Sequence, residues 1–103
     1  DLAPNDEEAF TWYSKAAEQG NAEAQYYLGL MLFNGGEVVA KDMEETVRLW
    51  SNSAEQGNAE AQYFLGVLYS KGNGVTEDQE EALRLWSKAA EQGHKSAQAR
   101  LRD

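Results

Sequence analysis

The 103-residue sequence contains no cysteine, a single proline and a single histidine. Without cysteine the chain can form neither disulfides nor thiolate metal sites. A cysteine-free domain is stable in reducing and oxidising compartments alike, so the location stays open between the cytoplasm and the periplasm or cell exterior. The one proline, Pro4, precedes the first predicted helix.

Basic residues are also scarce, since 9 Lys and Arg stand against 18 Asp and Glu and give a formal net charge of −9. Nucleic acid and anionic membrane surfaces both require clustered basic side chains, so neither is an expected partner. No apolar stretch approaches the roughly 18 residues that span a bilayer, and no basic-then-apolar segment opens the chain. The apolar content of 42% nevertheless indicates one folded, soluble domain rather than a disordered tail.

The sequence repeats itself. Residues 16–29 read AAEQGNAEAQYYLG and residues 53–66 read SAEQGNAEAQYFLG, so 12 of 14 positions match at a shift of 37. A third copy, AAEQGHKSAQARL, begins at Ala89. The preceding segments match as well, which makes Tyr13, Trp50 and Trp86 equivalent. Self-similarity at this period is typical of stacked helical repeats.

Local signals divide each repeat into two helices. Three D/N-x-x-E patterns begin near Asn5, Asp42 and Asp78, and we expect a capping box in each, with the Glu reaching back to the cap. Equivalent glycines at 20, 57 and 93 predict helix ends, because glycine accepts a left-handed backbone. Val38 or Val39, and Val75, are expected beneath the connecting loops. The predicted helices cover about 5–19, 21–34, 42–56, 58–71, 78–92 and 95–102.

The motifs A-E-Q-G-N-A-E-A-Q-Y-x-L-G, G-x-G-V and D-x-E-E-A-L-R-L-W-S-K-A-A-E-Q-G resemble the Sel-1-like repeat, a branch of the tetratricopeptide superfamily. The resemblance covers nearly the whole chain as one domain, with units at about 21–56 and 58–92 and partial units at 1–20 and 94–103. It implies an all-α, right-handed superhelix of about six antiparallel helices. It also implies an adaptor or scaffold of bacterial type that binds a protein or peptide.

The residues give little support to catalysis. His94, the only histidine, occupies the position held by Asn21 and Asn58 in the other copies, so we interpret it as a turn and cap residue. Most carboxylates fall in the first turns of predicted helices, where they complement the helix dipole rather than a metal ion. We therefore expect no enzymatic activity, no metal and no cofactor.

A concave groove is the expected binding surface, because in the superfamily the first helix of each pair lines it. Two tyrosines, Tyr26 and Tyr63, are its central members, and the alternative is that they merely pack between neighbouring repeats. Carried over by register, the groove residues are Glu23, Tyr26, Leu30, Phe33, Asn34, Glu60, Tyr63, Val67, Ser70 and Lys71.

The ends of the array provide the alternative function, that of an architectural or self-associating segment of a larger repeat protein. The chain begins with a second helix, and Arg102 stands where the family has a glycine, so the last copy is either a degenerate cap or part of a longer array. End repeats otherwise expose apolar faces meant for a neighbour. Trp50 and Trp86 are expected in the core. The candidates for exposed end faces are Leu2, Phe10, Trp12, Ala97 and Leu101.

Overall fold

The computed structural model describes residues 6–102, and within that range the chain forms six α-helices. Asn5 and Leu2 lie outside the described residues, so the expectations for them do too. Each helix packs against the next one along the chain, and this arrangement forms an all-α superhelix, as predicted. The helices are α1 (Asp6–Glu18), α2 (Ala22–Asn34), α3 (Met43–Glu55), α4 (Ala59–Lys71), α5 (Gln79–Glu91) and α6 (Lys95–Arg102).

We call α2, α4 and α6 the first helices and α1, α3 and α5 the second helices of their repeats. The first helices begin after Asn21 and Asn58, whose side-chain oxygens accept the backbone N–H three residues on at 2.8 Å. Both asparagines therefore occupy the N-cap position, where Asn is preferred because its side-chain oxygen accepts from a backbone N–H that has no partner within the helix.

Asp42 and Asp78 cap the second helices, where their carboxylates accept the N–H groups of Glu45 and Glu81 at 3.0 and 3.1 Å. The reciprocal half of the predicted capping box is wrong. The cap N–H groups instead donate to carbonyls at the ends of the preceding helices, at Leu32 and Tyr69.

Glu45 and Glu81 are therefore free to bind a different partner. Arg48 and Arg84 lie one turn further on and donate to the two carboxylates, with Nε–Oε1 distances of 2.9 Å. These hydrogen bonds lower the pKa of Glu45 and of Glu81.

The helix ends at Gly20, Gly57 and Gly93 are confirmed. Their φ angles of +91°, +99° and +89° lie in the region that only glycine enters without strain. At Gly57 the glycine N–H donates to Ala54 and the following N–H donates to Ser53, which is the Schellman arrangement. One turn therefore ends the second helix and starts the next first helix.

Trp50 on α3 and Trp86 on α5 each cross a glycine of the first helix in the same repeat. The Nε1–H of Trp50 donates to the Tyr26 carbonyl at 3.0 Å, and a Cβ on Gly29 would lie 2.5 Å from that nitrogen. Trp86 repeats the contact at Gly66. The prediction that both tryptophans belong to the core is confirmed, with exposures of 1% and 5%.

Buried glutamines connect consecutive helices in a way that the sequence patterns had not indicated. Gln25 Nε2 donates to the Ala17 carbonyl at 3.3 Å and its Oε1 accepts from Gln56 at 2.9 Å, so one side chain connects α1, α2 and α3. Gln62 repeats this arrangement one unit later. Within residues 6–102, every buried side-chain nitrogen and oxygen has a hydrogen-bond partner.

Of the two valines considered for the first loop, Val39 is buried and Val38 is exposed. Val75 packs against the core beneath the second loop, as expected.

Candidate functional site

The predicted groove residues lie on α2 and α4 and differ in how much surface they offer. Tyr26 is buried, whereas the others are accessible to different degrees. The exposed residues are Glu23, Asn34, Glu60 and Lys71, and the half-buried residues are Leu30, Phe33, Tyr63, Val67 and Ser70.

Tyr26 packs between two repeats. Its ring stacks on Trp50 of its own repeat, with centroids 6.3 Å apart, and on Phe64 of the next repeat at 6.1 Å. Only 8% of the residue is exposed. Burial raises the pKa of Tyr26 to about 12, with further contributions from the charges of Glu60 and Tyr27. Its ring is therefore part of the wall between repeats.

This raised pKa predicts an alkaline loss of stability. The fold favours the neutral phenol, so the stabilisation is complete below the ordinary pKa of 10.0 and is lost as the pH rises towards about 12. Between pH 9 and pH 11.5 we expect the free energy of unfolding to fall by about 1 to 2 kcal/mol more than in Tyr26→Phe, which has no phenol to ionise. Urea denaturation at the two pH values measures this difference. Equal losses in the two proteins would contradict the assignment.

Tyr63 occupies the position equivalent to Tyr26 but keeps part of its surface. Its ring stacks on His94 at 4.8 Å, and the guanidinium of Arg100 lies 5.9 Å from the ring centroid. Arg100 stands at the position that Tyr27 and Phe64 hold in the other copies. Tyr63 therefore has a cation near its ring where Tyr26 has the aromatic ring of Phe64. The ring of Tyr63 is held rigidly while part of it stays accessible.

His94 is the cap of α6, as predicted. Its Nδ1 accepts the Ala97 N–H at 3.1 Å, as the Asn oxygens do in the other repeats. Nε2 then carries the proton, and it lies 2.8 Å from a Glu60 carboxylate oxygen. Nδ1 thus caps α6, and Nε2 connects the start of α6 to α4.

The remaining groove residues touch neighbouring elements as well as solvent. Lys41 places its ammonium 5.7 Å from the centre of the Phe33 ring. Ser70 lies 3.3 Å from the side-chain oxygen of Gln79 at the start of α5. Leu30 and Val67 each contact a buried cluster on one side.

The acidic side chains are concentrated in first turns of helices, as expected from the sequence. For residues 6–102, no group of three or more His, Asp or Glu side chains could hold a metal ion. In the same part of the chain, no helix is both long and apolar enough to cross a membrane.

A cleft of about 600 Å³ separates α1 from α3. Phe10, Leu28 and Leu32 line it, and Glu18 and Arg48 are among its polar residues. The equivalent space between α3 and α5 has only about 170 Å³, and there Tyr69 takes the position of Leu32. Sequence reasoning missed this cleft, although the exchange of Leu for Tyr between two otherwise matching repeats is its visible signal.

The residues expected to be exposed at the two ends of the array are exposed only in part. Trp12 is 74% exposed and Leu101 is 39% exposed, as expected of residues that lack a neighbouring helix. The expectation for Ala97 is wrong, because this residue is fully buried in a cluster with Ala89 and Trp86 of α5. Phe10 is half-buried against the cluster of Ala17 and Leu28.

The structure is similar to several solved repeat proteins. A Sel1 repeat protein from Oxalobacter formigenes is 41% identical with a TM-score of 0.89, over 96% of this chain and 74% of that one. The protective antigen c5321 of uropathogenic Escherichia coli, which displays an SLR fold, is 37% identical with a TM-score of 0.81. That match covers 86% of this chain but only 19% of the antigen.

A third similar structure, the cysteine-rich protein B of Helicobacter pylori, is 25% identical with a TM-score of 0.85, over 93% of this chain and 71% of that one. A comparison with curated proteins gives no match. The family model described as Sel1 repeat matches residues 1–21, 22–58 and 59–94. Since these matches extend over nearly the entire chain, the protein belongs to the Sel1 repeat family.

Proposed function

We propose that the chain binds a segment of another protein along the concave face of α2, α4 and the start of α6. Sel1 repeats are typical protein-interaction scaffolds and are generally non-catalytic. The observation that carries the proposal is a row of half-buried apolar and aromatic side chains on one face of consecutive first helices. This row consists of Leu30, Phe33, Tyr63 and Val67.

Such side chains are suited to recognition. Each is held in place by the core on one side and offers its other side to a ligand, so little side-chain entropy is lost on binding. Tyr63 is the strongest candidate because His94 and Arg100 fix its ring. Rigid tyrosines are frequent binding hot spots, since they contribute a large contact area and a polar hydroxyl.

The charge of the surface indicates the chemistry of the partner. Glu23 and Glu60 lie exposed at the starts of α2 and α4, and the whole chain carries a formal net charge of −9. A segment that combines large apolar side chains with Lys or Arg is therefore the complementary ligand. Its association should be faster at low ionic strength, because opposite charges steer the encounter.

A display library of random peptides, selected on the immobilised full chain, tests the proposal. We expect enriched peptides to carry basic and large apolar residues, and Tyr63→Ala to weaken their binding at least about tenfold. Tyr69→Ala is the matched control, because Tyr69 is also half-buried on α4 but lines the space between α3 and α5. Calorimetric titration measures both affinities, and thermal unfolding confirms that the two variants are comparably folded.

The two tyrosine variants separate the possible sites. Loss of binding in Tyr63→Ala with retention in Tyr69→Ala supports the concave face. The reverse pattern would indicate a ligand in the space between α3 and α5 and overturn the proposal, as would binding that neither change reduces.

A further inference from the structure

The two ends of the described solenoid carry complementary halves of a repeat. Helix α1 is a second helix, and its main packing partner is α2 of the following repeat. Helix α6 is a first helix that packs on α5. In the complete repeats, α2 with α3 and α4 with α5, a first and a second helix pack closely together. Within residues 6–102, α1 has no first helix of its own repeat to pack against, and α6 has no second helix of its own repeat.

The face of α1 around Trp12 is mostly apolar, with Lys15 at its edge. Trp12 projects from its centre with 74% of its surface exposed. Two hollows of about 400 and 450 Å³ lie beside the indole, and Ala16 lines both of them, with Ala9 and Tyr13 at the first. A helix that offers an aliphatic side chain fits a surface of this shape.

The complete repeats show which side chains meet at such a contact. Leu28 of α2 and Leu49 of α3 belong to one buried cluster, and Leu65 and Leu85 belong to another one repeat later. In the repeat register Leu101 takes the position of Leu28 and Leu65. Trp12 takes the position of Leu49 and Leu85. The third pair in this series is therefore Leu101 with Trp12, and these residues lie on helices at opposite ends of the solenoid.

The charges of the two helices are complementary as well. Helix α6 carries Lys95, Arg100 and Arg102 and no acidic residue. Helix α1 carries three acidic residues in its first turn and Glu18 in its last, against Lys15 alone. First and second helices of a repeat run antiparallel, so the C-terminal end of α6 would approach the acidic start of α1.

We propose that two copies of this chain associate head to tail, with α6 of one copy packed against α1 of the next. Leu101 of the first copy contacts Trp12 of the second, and Arg102 pairs with Asp6, which lies one turn before Ala9 on the same face. The occupant of the exposed α1 face is thus a second copy, selected by register and by charge.

Arg102 makes this contact differ from the one inside a repeat. It replaces the glycine that lets Trp50 and Trp86 cross closely, so the helices must be further apart. The residue of α1 at the tryptophan position is Tyr13, whose ring already stacks on Tyr27 at 5.2 Å. Trp12 therefore supplies the aromatic contact. Since α6 has only 8 residues, the interface is small and the association weak.

The contact joins two different surfaces, so each dimer keeps one free α1 face and one free α6 face and can grow further. Sedimentation of the full chain at rising concentration should therefore show a weight-average mass that passes the dimer value. The mass should fall as NaCl is raised, because screening weakens the ion pair.

Two blocked variants give the decisive test. Trp12→Glu blocks the α1 face and Leu101→Glu blocks the α6 face, and both residues are exposed, so circular dichroism should be unchanged. Each variant alone should remain monomeric. Their equimolar mixture should form a dimer that does not grow, because the free α6 face of the first variant meets the free α1 face of the second. The charge swap Asp6→Arg with Arg102→Glu should restore association that either single change reduces.

Three results would overturn the proposal. One is a wild-type chain that stays monomeric to millimolar concentration. Another is a Leu101→Glu variant that dimerises by itself, which indicates a symmetric contact between two α1 faces. The third is a mixture of the blocked variants that remains monomeric. Peptide binding to the concave face is a separate property, and its failure would leave these outcomes unchanged.

Discussion

Replacing Trp50 by alanine is expected to lower the free energy of unfolding by about 3 to 5 kcal/mol, the range for large aromatic residues removed from a core. The indole is 1% exposed and lies among the rings of Tyr26, Phe33 and Phe64, at centroid distances of 5.5 to 6.3 Å. The change also leaves the Tyr26 carbonyl without the N–H that it accepts at 3.0 Å.

This loss is a large part of the stability of a domain of this size, which totals about 5 to 15 kcal/mol. Trp12→Ala is the matched control, because the same side chain is removed from another second helix, one position before the equivalent of Trp50. With 74% of Trp12 exposed, its removal should change the free energy of unfolding by less than about 0.5 kcal/mol. Urea denaturation at low protein concentration, where self-association is negligible, measures both. Similar losses in the two variants would contradict the assigned core.

Gly29→Ala is the second change with a large expected effect, although it adds only one methyl group. Alanine is favoured over glycine within a helix by about 1 kcal/mol. Here its Cβ would lie 2.5 Å from Nε1 and 2.6 Å from Cδ1 of Trp50, which is too close for any side chain. The indole has no room to retreat, since aromatic rings surround it, so the helices must separate and the hydrogen bond to Tyr26 is strained. We expect a net loss of about 2 kcal/mol.

Gly36→Ala provides the comparison, because an added Cβ there meets nothing within 4 Å. Its effect should lie within about 0.5 kcal/mol of zero. The cause can be isolated by making Gly29→Ala in a Trp50→Leu background, where the smaller side chain leaves space for the methyl group. The loss should then disappear, since the two positions act through one contact. A loss of the same size in that background would show that the indole is not responsible.

The groove and the end faces make different demands on the same repeat. The proposed groove ligand would contact side chains that the core already holds, so its affinity is expected to depend on residues such as Tyr63. The proposed end-to-end contact would use side chains that the repeat pattern buries elsewhere but that are exposed in residues 6–102 of one copy, Trp12 and Leu101. The two surfaces can therefore be changed separately, with Tyr63→Ala for the first and Trp12→Glu for the second.

Several expectations depended on contacts that the repeat register alone could not provide. Tyr26 and Tyr63 are equivalent in sequence, but Tyr26 meets Phe64 of the following repeat whereas Tyr63 meets Arg100 and His94. The two tyrosines therefore differ in burial because different residues of the following repeat lie against them. Ala97 was misjudged for a related reason: the last helix still buries the face that packs backward onto α5, and only its forward face is open.

The sequence by itself determined the helices, their boundaries and their order. These features depend on interactions within about four residues, such as the Asn and Asp caps and the glycine turns, and the repeat shows each of them two or three times. Tertiary structure alone decided the burial of Tyr26, the glutamine connections and the difference in size between the α1–α3 cleft and the α3–α5 space. Each of these depends on groups that are distant in the chain, such as Gln25 and Ala17, 8 positions apart, or Tyr26 and Phe64, 38 positions apart. A local sequence pattern does not indicate which distant neighbour a side chain will meet.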